Sequence, residues 1–201
     1  MKHVTRGLFG LMLIATLFGF AAAIAQSPAA GAAPAAASVM RDGQHDFDFT
    51  IGKWKTHITR LQNPLSASAT WIKMEGTKLE RKIWNGRAHL EEIEADGPSG
   101  HFEGLTLFLY DPQAHQWSQT FASSKDGTLG KPLVGEFKNG RGEFFGQDTF
   151  KDRSILVRAT WSDITHDSHK FEQAFSDDGG RTWETNFIAL LTREKSAREA
   201  E

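Results

Sequence analysis

The sequence predicts an all-β domain built from an antiparallel sheet of about ten strands. Apolar and polar residues alternate along residues 155–161 and 183–191, which is typical of half-buried strands. The pairs Asn85-Gly86 and Asn139-Gly140 separate such runs and indicate tight hairpins. No helix-length segment with a 3.6-residue period lies between the strands. Connections this short favour an up-and-down order, in which the sheet either stacks as a sandwich or closes as a barrel.

Each predicted strand follows from its own pattern and from the turn residues at its ends. Asp111-Pro112 and Asp178-Gly179-Gly180 mark further turns between alternating runs. In chain order, the runs that predict strands after the first are residues 78–84, 87–95, 105–110, 133–138, 141–147, 155–161, 169–175 and 183–191.

Composition excludes several classes of protein. The chain has 201 residues, a formal net charge of −2 and no cysteine. A near-neutral charge lacks the basic footprint of a nucleic-acid-binding protein, so we expect no nucleic-acid partner. Without cysteine there is no disulfide, no thiolate nucleophile and no cysteine-ligated zinc. The six Trp and fifteen Phe supply enough large apolar side chains for a sizeable core.

Residues 1–25 are typical of a secretory signal peptide. A basic start and an uncharged run over residues 8–24 end in Ala-Ile-Ala at residues 23–25, a small-x-small cleavage pattern. The alternative is a retained membrane anchor, although the apolar run is at the short end for a span. We expect cleavage after Ala25, a periplasmic or secreted location in a Gram-negative-type bacterium, and no membrane span in the mature chain.

The rest of the chain divides into three parts. Residues 26–40 are rich in Ala and Pro, which predicts a flexible linker. Residues 41–193 hold the predicted strands and form the one expected domain. The charged residues 194–201 are interpreted as a solvated tail.

The first predicted strand opens with a Gly-x-Trp motif, and an arginine ends the last one. The motif is Gly52-Lys53-Trp54, and the arginine is Arg193. This start resembles that of the lipocalin-like (calycin) barrels, in which the Trp closes the barrel floor and a basic residue near the end of the last strand stacks across it. The resemblance implies a cation–π contact between Arg193 and Trp54, worth about 0.5–2 kcal/mol.

The similarity extends over the whole domain. HDFDFTIGKW at residues 45–54, GLTLFLYDP at 104–112 and SDDGGRTWETN at 176–186 together resemble an uncharacterised family of secreted bacterial proteins with a lipocalin-like barrel. The resemblance implies one antiparallel up-and-down β-barrel and so favours the barrel over the sandwich. It implies no activity, substrate or catalytic residue.

A related branch of these barrels binds haem, and the sequence departs from its pattern. That branch begins with Gly-x-Trp-x-Gly-x-Gly and binds haem through a histidine on a distal strand. Here Thr56 and Ile58 stand where those glycines would fall, and no histidine follows Thr182. Haem is therefore disfavoured, and we expect no cofactor.

Residues 176–183 fit the Asp-box pattern S-x-D-x-G-x-T-W. In this pattern the Asp and Ser side chains bond turn amides, a Gly takes a positive φ, and the Trp anchors the hairpin in the core. One copy in a domain of this length favours a structural hairpin. A glycan contact is the alternative.

Histidines and acids at suggestive spacings have plainer interpretations. His166 and His169 lie three residues apart, but no third ligand is evident, so we interpret both as exposed turn residues and expect no metal site. Glu91 and Glu92 are adjacent on a strand, so their side chains point to opposite faces and cannot serve one site. We interpret that acidic run as a solvated strand face.

Polar side chains within apolar strand runs are the candidate ligand contacts. Arg158 and Glu172 lie on consecutive antiparallel runs, so an interior face would favour their pairing, whereas a wet exterior face is the alternative. With Trp54 at the floor and other aromatic residues as the wall, we expect seven ligand-binding residues. They are Trp54, Trp71, Arg81, Trp117, Arg158, Glu172 and Asn186.

Three functions follow, and the first is preferred. The barrel binds a small hydrophobic or amphipathic ligand in its lumen, which requires a volume of about 300 Å³ or more. Alternatively, Arg158, Glu172 and Asn186 converge at the mouth of an enzyme that acts on a glycan or small lipid. The third is a structural or partner-binding protein of the cell envelope. The sequence carries no signal for the ligand's identity or the oligomeric state.

Overall fold

A computed structural model describes residues 41–67 and 69–195, and they form a closed antiparallel β-barrel of ten strands. The strands follow around the barrel in chain order, and the first pairs with the last, so the predicted up-and-down, lipocalin-like barrel is confirmed and the sandwich is excluded. The strands are β1 (Gly52–Leu61), β2 (Trp71–Ile83), β3 (Ala88–Gly97), β4 (Gly100–Asp111), β5 (Gln116–Ser123), β6 (Leu133–Lys138), β7 (Arg141–Phe150), β8 (Arg153–Ser162), β9 (Ser168–Ser176) and β10 (Glu184–Arg193).

Several expected segments fall wholly or partly beyond these residues. The expected signal peptide and the whole of the linker lie outside the described residues, as does the tail after Lys195. Within residues 41–67 and 69–195, no helix is long and apolar enough to cross a membrane.

The two Asn-Gly turns adopt the positive φ angles that the sequence predicts. Asn139 and Gly140 have φ of 52° and 76° and join β6 to β7 in a two-residue loop. Asn85 and Gly86 have φ of 56° and 83°, but Trp84 also has a positive φ, so this connection is a longer 3-10 turn at Trp84–Gly86. The turn at Asn85-Gly86 is therefore wider than the two-residue hairpin that the sequence predicts.

An aromatic cluster fills one end of the barrel. At this closed end β1 begins and β10 ends, and the segment before β1 carries Phe47 into the lumen. The Phe47 ring centroid lies 4.7 Å from that of Phe108 and 5.2 Å from that of Trp117. We call this cluster the aromatic plug; it contains Phe47, Phe108, Tyr110, Trp117, Phe137, Phe144, Ala159 and Trp161.

A second cluster of buried side chains lines the other half of the barrel. It consists mostly of aliphatic side chains that line the wall around β1, β2, β3 and β10. No segment equivalent to the one carrying Phe47 enters from this side among the described residues. We call this the open end. The cluster contains Ile58, Met74, Ile93, Ala95 and Ala189, and it continues towards the closed end through Leu191 and Trp54.

Gly76 allows two neighbouring strands to approach closely. A Cβ at Gly76 on β2 would lie 1.9 Å from the Glu94 carbonyl oxygen on β3, well inside van der Waals contact. A side chain at this position would therefore push β2 and β3 apart. The glycine permits the tight curvature of the wall beside the cavity described next.

Candidate functional site

The open half of the barrel contains a cavity of about 340 Å³. Its volume lies in the range of small-molecule sites and meets the size that the sequence-based hypothesis requires. Side chains from all ten strands line it, and most of them are aromatic or aliphatic. The main apolar lining residues are Met74, Ile93, Phe102, Phe121, Phe171, Phe175 and Phe187.

A buried ion-pair cluster forms the floor of this cavity. The Lys78 ammonium nitrogen lies 2.9 Å from the Glu80 carboxylate and 3.0 Å from the Glu91 carboxylate. Lys78 is 2% exposed and Glu80 is 1% exposed, so these charges are removed from water. Lys78 and Glu91 line the cavity, whereas Glu80 lies beneath them.

Hydrogen bonds from two threonines and a histidine satisfy the remaining oxygens of the two carboxylates. The Thr106 hydroxyl donates to Glu91 over 2.7 Å. The Thr50 hydroxyl donates to Glu80, and His89 Nδ1 lies 3.0 Å from the same Glu80 oxygen. Because an ionised carboxylate only accepts hydrogen bonds, His89 Nδ1 carries the hydrogen. These bonds fix both carboxylates in place.

The ion pairs keep the floor charged despite its burial. Burial by itself pushes the pKa of Lys78 down, but the Glu80 and Glu91 carboxylates outweigh it and raise the pKa above its ordinary value. Burial pushes the pKa of Glu80 up, but Lys78 and the hydrogen bonds from His89 and Thr50 leave it lowered. Lys78 is therefore an ammonium and Glu80 a carboxylate in the folded protein.

Aromatic and amide groups complete the floor. The Lys78 nitrogen lies 5.2 Å from the centroid of the Trp161 ring, within cation–π range. The Trp161 indole N–H donates to the Gln119 side-chain oxygen over 3.0 Å. Gln119 also lines the cavity, so its amide nitrogen remains a hydrogen-bond donor at the floor.

Charged side chains surround the mouth. Arg60, Lys131 and Asp148 line the cavity where it reaches solvent, and Lys131 lies 3.8 Å from Asp148. At this exposure such a pair adds little stability. The mouth is polar and the walls are apolar, which suits entry of an amphipathic molecule.

The charged floor corrects the expectation of a solvated strand face for Glu91, whereas Glu92 and Glu94 of the same acidic run are exposed as expected. Glu91 points inward with His89 and Ile93, since residues two apart share a face. Lys78 was not predicted at all. The signal was available: Met74 is apolar and shares its face of β2 with Lys78 and Glu80.

Trp54 and Arg193 meet at the closed end as the resemblance implied. The Arg193 guanidinium carbon lies 4.0 Å from the centroid of the Trp54 ring. The guanidinium also donates to the carbonyl oxygens of Ile51, Phe49 and His166 over 2.7, 2.9 and 2.8 Å. The arginine thus holds the segment before β1 against the end of β10.

The seven predicted ligand contacts are not among the residues that line the cavity. Trp54 and Trp117 are buried, Trp54 at the closed end and Trp117 in the aromatic plug. Trp71 and Arg81 lie on the outer face of β2. A ligand contact by any of the seven stays a prediction.

Arg158 and Glu172 occupy the outer face and have separate partners. Arg158 stacks over Trp183 at 4.7 Å, and Glu172 lies 3.0 Å from the Lys170 ammonium. Asn186 is buried at an irregularity in β10, where its side-chain oxygen accepts a hydrogen bond from Gln173 over 3.0 Å. Asn186 therefore contacts a residue that lines the cavity, Gln173.

His169 is buried, which corrects the expectation of an exposed turn residue. It is the first inward-facing position of β9, whereas His166 precedes the strand and is exposed. The His169 ring lies 4.3 Å from the Trp54 ring and 5.8 Å from the Trp161 ring, centroid to centroid. Burial, together with the charges of Lys78 and Arg193, lowers the pKa of His169 to about 2, so the ring is neutral.

No group of three or more His, Asp or Glu side chains suited to a metal ion occurs within residues 41–67 and 69–195. Two other histidines, His45 and His57, each contact one acid, Asp48 and Glu75 respectively.

The hairpin between β9 and β10 carries the hydrogen bonds expected of its sequence. Asp178 accepts bonds from the Thr182 amide over 3.0 Å and from the Thr182 hydroxyl over 2.7 Å. Gly179 and Gly180 have φ of 76° and 87°. Trp183, however, packs on the outer wall against Phe145 and Arg158, not in the core, because it precedes the irregularity in β10.

Fold and site together define a class: a closed β-barrel with an apolar internal cavity and a charged floor. Among solved structures, the chain is similar to an S-type phycobiliprotein lyase from Guillardia theta. The TM-score is 0.55 and the sequence identity 12%, and the match covers 78% of this chain and 95% of that chain. At this identity the likeness shows the fold alone.

A redesigned β-barrel bound to DFHBI matches with a TM-score of 0.42 and 9% identity, over 72% of this chain and 99% of that chain. No protein-family model matches the sequence. No curated protein matches it either.

Proposed function

We propose that the barrel binds a small apolar or amphipathic molecule in its cavity. The observation that carries this proposal is the contrast between the two halves of the lumen. The closed half is filled by the aromatic plug, whereas the open half leaves about 340 Å³ between apolar walls. Interiors are normally close-packed, so an unfilled apolar space of this size is typical of a ligand site.

The wall chemistry supports an apolar body for the ligand. Phe102, Phe121, Phe171, Phe175 and Phe187 all face the cavity. Moving an apolar surface from water to such walls contributes about 25 cal/mol per Å². The charged floor and the polar mouth then supply the few groups that orient the molecule.

Two matched variants test whether binding occurs inside the barrel. Ala189 lines the cavity, so Ala189→Phe places a ring in it, whereas Leu190 is 50% exposed on the opposite face of β10. We expect the neutral fluorophore N-phenyl-1-naphthylamine to bind the wild-type protein saturably. Ala189→Phe should weaken its affinity by about tenfold or more, and Leu190→Phe should not change it. Circular dichroism and Tm check that both variants fold.

Two results would contradict the proposal. One is the absence of saturable binding to the folded wild-type protein. The other is equal affinity in the wild-type and Ala189→Phe proteins, which would place the fluorophore outside the cavity. Native mass spectrometry of protein purified from its own source then identifies a molecule that co-purifies with the wild type but not with Ala189→Phe.

A further inference from the structure

The ionised groups at the cavity floor do not balance. Lys78 supplies one positive charge, and the two carboxylates of Glu80 and Glu91 within 3.0 Å of it supply two negative charges. An uncompensated charge in an apolar interior is costly unless a partner arrives. Among the three groups Lys78, Glu80 and Glu91 there is therefore an excess of one negative charge.

Of the two carboxylates, Glu91 is the one that faces the cavity, because Glu80 and its hydrogen-bond partners lie beneath the floor. Glu80 is held by Lys78, Thr50 and His89, and neither Glu80 nor His89 lines the cavity. The Nε2 atom of His89 makes no hydrogen bond among the described residues and lies 3.9 Å from Asp48 Oδ1, and Asp48 does not line the cavity either. Glu91 does line the cavity, and Thr106 and Lys78 are its contacts.

Resting on the proposed function, we propose that the ligand is an apolar molecule that carries one protonated nitrogen and places it against the Glu91 carboxylate. A carboxylate accepts several hydrogen bonds, so Glu91 retains acceptor capacity beyond the one from Thr106 and the contact with Lys78. A charge-assisted N–H···O bond is among the strongest available there. The floor already holds one cation beside an aromatic ring, since the Lys78 ammonium lies 5.2 Å from the centroid of Trp161, which lines the cavity.

An acidic ligand is the competing class, since Arg60 and Lys131 lie at the mouth. The Asp148 carboxylate lies 3.8 Å from the Lys131 ammonium and offsets part of that positive charge. These groups are also exposed and screened by solvent, whereas the floor is buried. The buried excess of negative charge outweighs the exposed cations in selecting the ligand.

Three naphthalene probes of similar size separate the two classes. They are 1-naphthylmethylamine, 1-naphthalenemethanol and 1-naphthoic acid, which are cationic, neutral and anionic at pH 7. Each is titrated into the wild-type protein by displacement of N-phenyl-1-naphthylamine. We expect the amine to bind about tenfold or more tightly than the alcohol, and the acid to bind most weakly.

A pair of charge-removing variants on β3 locates the preference. Glu91→Gln keeps the side-chain volume and leaves the Lys78–Glu80 pair balanced, so it should abolish the preference for the amine over the alcohol. Glu94→Gln removes the same charge from the outer face of β3 and should leave the preference unchanged. The affinity for 1-naphthalenemethanol does not depend on a charge at the floor, so an unchanged affinity shows that Glu91→Gln still folds around its cavity.

The outcomes distinguish this inference from the proposed function. If the alcohol binds and Ala189→Phe blocks it, but the amine shows no preference or the acid binds best, the inference is overturned and the function stands. If neither the fluorophore nor any naphthalene probe binds the wild type, both fail. Should Glu91→Gln not fold, the wild-type ratio of amine to alcohol affinity still decides.

Discussion

At the scale of single residues, the barrel buries ionisable groups in two different ways. Lys78 and Glu80 stay charged because each lies 2.9 Å from the other. His169 has no hydrogen-bond partner for either ring nitrogen among the described residues, and it stays neutral. Lys78 and Glu80 can therefore be buried as charged groups because they pair, whereas His169 can be buried because its ring carries no charge.

The neutrality of His169 predicts a pH dependence of stability. The pKa of His169 is about 2 in the folded protein, whereas the ordinary value of a histidine, which applies to the unfolded chain, is 6.5. Below pH 6.5 the unfolded chain binds a proton that the folded ring does not, so the free energy of unfolding falls by up to about 1.4 kcal/mol per pH unit. Above pH 6.5 both states are neutral and His169 contributes no pH dependence.

Replacing His169 should remove this part of the slope. We expect His169→Phe to lose stability less steeply than the wild type between about pH 6.5 and about pH 4.5, as measured by urea unfolding. His166→Phe alters an exposed histidine three residues away and should retain the wild-type slope. Equal slopes for wild type and His169→Phe would contradict the assignment.

At the scale of elements, closure of the barrel depends on how β1 meets β10. The register runs from Trp54 opposite Arg193 to Arg60 opposite Phe187. Arg193 adds three bonds to backbone carbonyls at the start of that seam. The guanidinium therefore joins three segments: the residues before β1, the residues before β9 and the end of β10.

We expect Arg193→Lys to destabilise the barrel nearly as much as Arg193→Ala. A lysine ammonium keeps the charge, but it cannot reproduce a planar fork that reaches three carbonyls while stacking on an indole. The loss should be at least about 2 kcal/mol, measured by urea unfolding. Thr192→Ala, on the exposed outer face of β10, serves as the control and should unfold like the wild type. A lysine variant with wild-type stability would show that charge alone suffices.

Alternating runs predicted every strand except β5, whose buried positions include the polar Gln119 beside Trp117 and so weaken the pattern. The inward face of a predicted strand was not always predictable. On β8, Ile155, Val157 and Trp161 form an apolar stripe, and the predicted shared face is correct. On β2 and β3 the inward stripe itself carries Lys78, Glu80 and Glu91, so polarity no longer separates inside from outside. The register that brings these charges together arises from pairing between strands, which no single run encodes.

At the scale of the whole molecule, the aromatic plug explains why a chain without cysteine can close one end. Phe47 comes from outside the sheet and packs on rings contributed by β4, β5, β6, β7 and β8. The sequence indicated an aromatic core by composition. It did not indicate that the core would fill only half of the lumen, because that depends on where the segment before β1 enters.

Export is a prediction about the whole chain. We expect the precursor to be cleaved after Ala25, so that the mature chain begins at Gln26. Mass spectrometry of the intact protein, expressed with its own leader and recovered from the periplasmic fraction, measures this directly. Recovery of the uncleaved chain in the membrane fraction would favour the anchor instead.

Both ends of the described chain lie at the closed end, since Trp54 pairs with Arg193 and the Glu194 amide bonds to the Lys53 carbonyl. The cavity mouth is at the opposite pole, where a two-residue turn at Lys151-Asp152 joins β7 to β8. A fusion partner attached directly before Arg41 or directly after Lys195 would thus leave the entrance free. Because β1 pairs with β10, the neighbours of each strand in the barrel do not depend on where the chain begins. A circular permutant joined at the closed end and opened at Lys151-Asp152 would retain every strand neighbour.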